Sequence, residues 1–169
     1  NSIFFGLIFY LSCFLDKELY HKSEKLINEG LIINPNFVPL LNSLGKLYYK
    51  KRNLKDSEQA YLRALEVDPE SYQSLNNLAG FYQEIGKPED ALTYYKKAET
   101  KKPNYPIILN NIAKTYLSLD KTAEAEDYCL KALELSPQND EIKKQYSLIL
   151  LKKLDFKKAW LYFDGRLGL

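Results

Sequence analysis

Small, bulky and polar positions recur along this chain every 34 residues. Pro35, Pro69, Pro103 and Pro137 mark the period most plainly, and units starting at Phe4, Val38, Tyr72, Pro106 and Asp140 bring the other residues into columns. The eighth column holds Gly45, Ala79, Ala113 and Ser147, and the twentieth holds Ser23, Ser57, Ala91, Ala125 and Ala159. Only short side chains let two helices approach closely. Bulky residues fill the seventh column (Leu44, Leu78, Ile112, Tyr146) and the eleventh (Phe14, Tyr48, Tyr82, Tyr116, Leu150), one helical turn apart. Tyr61, Tyr95, Cys129 and Phe163 share the twenty-fourth column, and Ala64, Ala98 and Ala132 the twenty-seventh. Each unit therefore reads as two antiparallel helices. The whole chain reads as ten short helices and no strand.

Local signals agree with that register. Proline closes the second helix of each unit, and the residue before it leaves the helical region. Gly86 and Pro88 mark a turn inside a unit, where positive φ suits glycine and a proline opens a helix without losing a hydrogen bond. Asn53 and Asp155 stand where a side-chain oxygen caps the following helix.

These columns resemble the tetratricopeptide repeat family. Its W-x2-L-G-x2-Y and A-x3-F signatures are similar to Leu41-x2-Leu44-Gly45-x2-Tyr48 and Ala91-x3-Tyr95. The resemblance covers nearly the whole chain. Three central units match well, while the first has Leu11 at the small eighth column and the last has Lys143 at the apolar fourth, as terminal repeats often depart. It implies an all-α fold: a TPR-like α-solenoid of about five stacked hairpins in a right-handed superhelix, with the first helices lining a concave groove. On this reading 1–169 is a single domain with repeats 4–37, 38–71, 72–105, 106–139 and an incomplete 140–169.

Composition narrows the function. With 46% hydrophobic and 27% charged residues the chain has the make-up of a folded domain. Its 24 basic and 22 acidic residues are interspersed, so nucleic acid is disfavoured as a partner. Cys13 and Cys129 lie far apart and His21 is the lone histidine, so no zinc site is expected, and a reducing, cytoplasmic compartment is the simplest reading. Twenty-one lysines against three arginines would suit an AT-rich bacterial genome. The absence of methionine implies that something stands upstream.

Gly80 followed by Gly86-Lys87-Pro88 has the wrong spacing for a phosphate loop and Pro in place of Ser or Thr. A serine or cysteine nucleophile would have to share His21, on the exposed side of a second helix. Glu89 with Asp90, and Glu124 with Glu126 and Asp127, open second helices, where acids complement the helix dipole. Most of the 14 tyrosines occupy packing columns rather than a stacking platform for single strands. The chain is accordingly read as non-enzymatic, with no catalytic, metal or cofactor-binding residue and no cofactor.

The binding reading rests on the first helices. Column five runs Asn42, Asn76, Asn110, and column six runs Ser43, Asn77, Asn111, Gln145. Such amides both donate and accept toward the backbone of an extended peptide, and the series is similar to the asparagine ladder in the groove of O-linked sugar transferase arrays. The alternative is that they bond the neighbouring helix. Lys46, Tyr49, Lys50 and Lys114 share that side, which favours an acidic or carboxylate-bearing peptide. The carboxylate clamp of chaperone-binding repeats is disfavoured, because Ile107 with Asn111 and Glu141 with Gln145 stand where its basic pairs belong. The candidate peptide-binding residues are thus Asn42, Lys46, Tyr49, Asn76, Asn77, Asn110, Asn111 and Lys114.

Both ends carry separate expectations. Residues Ile3 to Leu15 form an apolar run of thirteen, short of the roughly twenty that span a bilayer. A membrane is therefore disfavoured. Such a first helix would instead cover a missing N-terminal repeat or form a homodimer. Leu154-Asp155-Phe156-Lys157-Lys158-Ala159-Trp160 through Arg166 resembles the closing repeat of bacterial arrays that precede glycosyltransferase-like or sulfotransferase-like domains, although Leu154 replaces the usual Gly. The plainer alternative is that Trp160 only packs the last hairpin. The primary reading is a non-catalytic protein–protein interaction module that binds an extended peptide or partner segment in its concave groove. The alternative is the substrate-recognition region of a larger transferase of that kind.

Overall fold

Nine helices make up the described residues of the computed structural model, which are 20–163, and no strand occurs among them. In chain order they are α1 (Tyr20–Ile33), α2 (Val38–Lys50), α3 (Leu54–Val67), α4 (Tyr72–Glu84), α5 (Pro88–Lys101), α6 (Pro106–Ser118), α7 (Thr122–Leu135), α8 (Asp140–Lys152) and α9 (Phe156–Phe163). The expected helix of residues 3–15 lies outside the described residues. The chain divides into two compact units, Asn1–Phe81 and Tyr82–Leu169.

The same backbone device closes the first helix of four successive repeats. Arg52, Gly86, Asp120 and Leu154, 34 residues apart, all take left-handed φ values, of 62°, 77°, 59° and 62°. The next residue's N–H then reaches back five residues, as Asn53 to Tyr48, Lys87 to Tyr82, Lys121 to Tyr116 and Asp155 to Leu150, each at 2.9 Å. These bonds satisfy carbonyls that the helix end would otherwise leave open. Asn53 Oδ1 then accepts from the Asp56 N–H and Asp155 Oδ1 from the Lys158 N–H, so both expected caps form. Only Gly86 adopts its φ without steric cost; an L-residue there loses about 1–2 kcal/mol. Arg52→Gly is therefore expected to stabilise the chain by about 0.5–1 kcal/mol after the added chain entropy of glycine. A thermal melt reads this as a rise, and a fall would show that the Arg52 side chain matters more than its φ.

In the unit Asn1–Phe81, the small columns allow the close approach they suggested. A Cβ placed on Gly45 of α2 would lie 2.7 Å from Tyr61 Cε1 of α3. Beside it, the buried Ser57 hydroxyl donates to the Gly45 carbonyl at 2.7 Å. Tyr61 continues to Phe81, its ring centroid 6.0 Å away, and burial pushes its hydroxyl pKa upward. Ile27 of α1 packs with Leu40 and Leu47 of α2, and the Lys51 ammonium reaches the Glu24 carboxylate at 2.8 Å.

In the unit Tyr82–Leu169, α6 and α7 pack through Leu109, Ala113, Ala125 and Cys129, and the same cluster continues into Ile142, Ile149 and Ala159. The Cys129 thiol is buried, faces the Ile142 carbonyl at 3.7 Å and is pushed up by burial to about 12. It behaves as a small hydrophobe. Tyr146 of α8 meets Tyr162 of α9 edge-on at 4.7 Å, closing the last hairpin. Lys143, flagged as the polar intruder in an apolar column, is buried and donates to Gln138 Oε1 at 3.2 Å. Trp160 is 65% exposed while Ala159 beside it is buried.

Candidate functional site

Helix α2 places Asn42, Ser43 and Lys46 one turn apart on one face, because residues three and four apart share a side. The start of α4 brings Gln73 and Asn77 opposite them. Together with Val38, Pro39, Tyr61, Asp68 and Ser71, these residues line a cavity of about 550 Å³ within the unit Asn1–Phe81. Its wall is hydrogen-bonded. Asn42 Nδ2 donates to Ser74 Oγ at 2.8 Å and to the Val38 carbonyl at 3.2 Å, and Ser74 Oγ donates to Ser71 Oγ at 3.0 Å.

Asn42 thus bonds the neighbouring helix through its nitrogen, which is the alternative that the sequence left open. Its other atom behaves differently. Asn42 Oδ1 is buried with no hydrogen-bond donor among the described residues, a condition that costs free energy. Lys46 stands on the same wall, exposed and without an ion pair among the described residues.

The other candidates are placed as follows. Tyr49 does not line the cavity; its ring meets Phe81 edge-on at 6.2 Å and 88°. Asn76 is also absent from the lining, although Asn77 is present. Asn110, Asn111 and Lys114 lie on α6 in the unit Tyr82–Leu169. There Asn110 is buried with Oδ1 unpartnered, and Gln145 of α8 is buried with Nε2 unpartnered. Lys114 sits 3.8 Å from the Glu84 carboxylate, so its charge is answered within the chain.

Three polar lining residues, Gln73, Asp68 and Ser71, were not singled out in the sequence. Gln73 stands at column two, near the start of α4. Asp68 and Ser71 come from the turn between repeats. The signal for Ser71 was its place one residue before α4, where its hydroxyl accepts from the Ser74 N–H at 3.3 Å. Among the described residues no group of three or more His, Cys, Asp and Glu gathers as metal ligands, and no helix is long and apolar enough to cross a membrane.

Comparison with known proteins bears on the fold. Family models described as tetratricopeptide repeat match residues 42–106 and 106–139, together more than half of the chain. No curated protein matches it in sequence. Among solved structures it is similar to Pseudomonas aeruginosa pilF, at 22% identity and TM-score 0.82, over 95% of this chain and 73% of that one. It is also similar to MamA, at 19% identity and TM-score 0.72, over 89% and 88% of the two chains. A third similarity, at 14% identity and TM-score 0.80, is to the APC/C hetero-tetramer Cut9-Hcn1, over 88% of this chain and 28% of that one. At these identities the likeness is one of fold. With the 34-residue columns, the recurring left-handed turns and the family match in agreement, the chain belongs to the tetratricopeptide repeat family.

Proposed function

We propose that the chain is a non-catalytic interaction module whose first helices hold an extended peptide or partner segment, its repeats acting as one array in a reducing, cytoplasmic setting. Tetratricopeptide repeats mediate protein–protein interaction, and the Cut9-Hcn1 neighbour comes from a hetero-tetramer. The observation that carries the finer reading is the cavity lined by Asn42, Lys46 and Asn77. Asn77 has both donor and acceptor for the peptide backbone, and Lys46 selects an acidic side chain or terminal carboxylate. A rigid helical wall limits the entropy lost on binding.

The test begins with selection of displayed linear peptides on the chain. A selected peptide is then titrated by fluorescence anisotropy. Asn77→Ala and Lys46→Ala are each expected to weaken it about 10-fold, the size of one hydrogen bond to a charged or buried group. Both sites are at least partly exposed, so the thermal midpoint should stay nearly constant. Peptides that bind both variants as tightly as the parent would reject this wall as the site.

A further inference from the structure

Tyr61 carries a polar group that the chain itself leaves unused. Its ring is packed between α2 and α3, where a Cβ on Gly45 would touch it and Phe81 lies 6.0 Å away between centroids, so that only 5% of the residue stays open. That remaining surface falls on the cavity which Tyr61 lines together with Lys46 and Asn77. The Tyr61 hydroxyl has no hydrogen-bond partner among the described residues, yet it is not fully enclosed as Asn42 Oδ1 is. Burial alone pushes its pKa up, with no neighbouring charge or hydrogen bond contributing. A buried tyrosine ordinarily finds a partner for its hydroxyl. Here the packed ring instead presents a neutral, fixed donor to the cavity.

We propose that the Tyr61 hydroxyl and the Lys46 ammonium together hold the side-chain carboxylate of an extended peptide, which makes Tyr61 the specificity-determining residue of this cavity; the assignment rests on the peptide-binding reading above. Gly45, against which the Tyr61 ring lies, directly precedes Lys46 on α2, so the two donors come from neighbouring places on one wall. Bonds from such donors to a carboxylate are stronger than those between neutral groups.

Charge selects the ligand. The lining holds one cation, Lys46, and one anion, Asp68, whose Oδ1 already accepts from the Glu70 N–H at 3.1 Å. A single negative charge fits beside Lys46, whereas a phosphate or a run of acids would also face Asp68. Depth then separates one kind of carboxylate from another. A terminal carboxylate sits directly on its Cα, while that of Glu stands beyond two methylene groups. The Glu side chain therefore reaches a hydroxyl recessed between two helices while the peptide backbone stays beside Asn77 on α4.

The probes are heptapeptides selected on the 169-residue chain from a random library with constant flanks, then synthesised with acetylated and amidated ends so that no terminal charge remains. The selected sequences should share a Glu. Fluorescence anisotropy compares each peptide and its Glu→Gln form on the parent chain and on Tyr61→Phe. The Glu form should bind Tyr61→Phe at least about 10-fold more weakly and the Gln form less than about 3-fold more weakly, because the hydroxyl meets a charged group only in the first. Tyr61→Phe keeps the ring and removes a hydroxyl without a partner in the chain, so the thermal midpoint should stay nearly constant. Equal affinity of the Glu form for the parent and for Tyr61→Phe, or an equal loss for both forms, overturns the assignment to Tyr61. If Lys46→Ala still weakens those peptides, the wall remains the site without Tyr61; if no peptide is selected, or neither Lys46→Ala nor Asn77→Ala weakens binding, the wall is not the site at all. Binding that requires a free C-terminus overturns the choice of a side-chain carboxylate.

Discussion

Ile112→Ala is expected to lower stability by about 3 kcal/mol, whereas Ile107→Ala, five residues earlier in the same helix, should change it by less than about 0.5 kcal/mol. The two side chains are chemically identical and both sit in α6. Ile112 stands at column seven, is fully buried and fills the space between helices, so truncation removes its transfer free energy and leaves a cavity. Ile107 stands at column two and is 49% exposed. Urea titrations of the two variants compare them directly. Equal losses, or a larger loss at Ile107, would mean that α6 is rotated from the register described above.

The second large effect concerns the closest approach of two helices. Gly45→Val is expected to cost about 3 kcal/mol, because the new Cβ meets the Tyr61 ring at 2.7 Å and a β-branched group cannot turn aside. The other repeats suggest how the strain is relieved. In the fourth repeat the smaller Cys129 stands at column twenty-four with Ala113 at column eight, both buried in one cluster, although the third repeat keeps Tyr95 with Ala79. Tyr61→Cys should therefore reduce the penalty of Gly45→Val. A double-mutant cycle is expected to give a coupling above about 1 kcal/mol in favour of the pair. Additive effects would show that the clash is not between these two residues.

The fold was legible in the sequence for a physical reason. A hairpin copied at a fixed period repeats its packing demands, so Ser57, Ala91, Ala125 and Ala159 line up because each lies where a larger side chain would not fit, and all four are buried. The left-handed turns were only partly legible. Gly86 announced its own φ, while Arg52, Asp120 and Leu154 adopt the same conformation with side chains that do not advertise it. Register alone places them.

The candidate site was legible as a face and not as a set of partners. Column spacing puts Asn42, Lys46 and Asn77 on the first helices, and the structure gathers them around one cavity. What each amide or charge touches depends on residues about thirty positions away. Asn42 bonds Ser74, Lys114 faces Glu84 and Tyr49 meets Phe81, pairings that no local pattern encodes. Asp68 and Ser71 escaped notice because turn residues carry no helical periodicity.

Backbone resonance assignment in solution, with secondary shifts and three-bond HN–Hα couplings, tests the repeated hairpin most directly. Helical shifts should break after Lys50, Glu84, Ser118 and Lys152, with left-handed φ at Arg52, Gly86, Asp120 and Leu154. Extended shifts within those segments, or breaks that do not recur every 34 residues, would contradict the stacked-hairpin account.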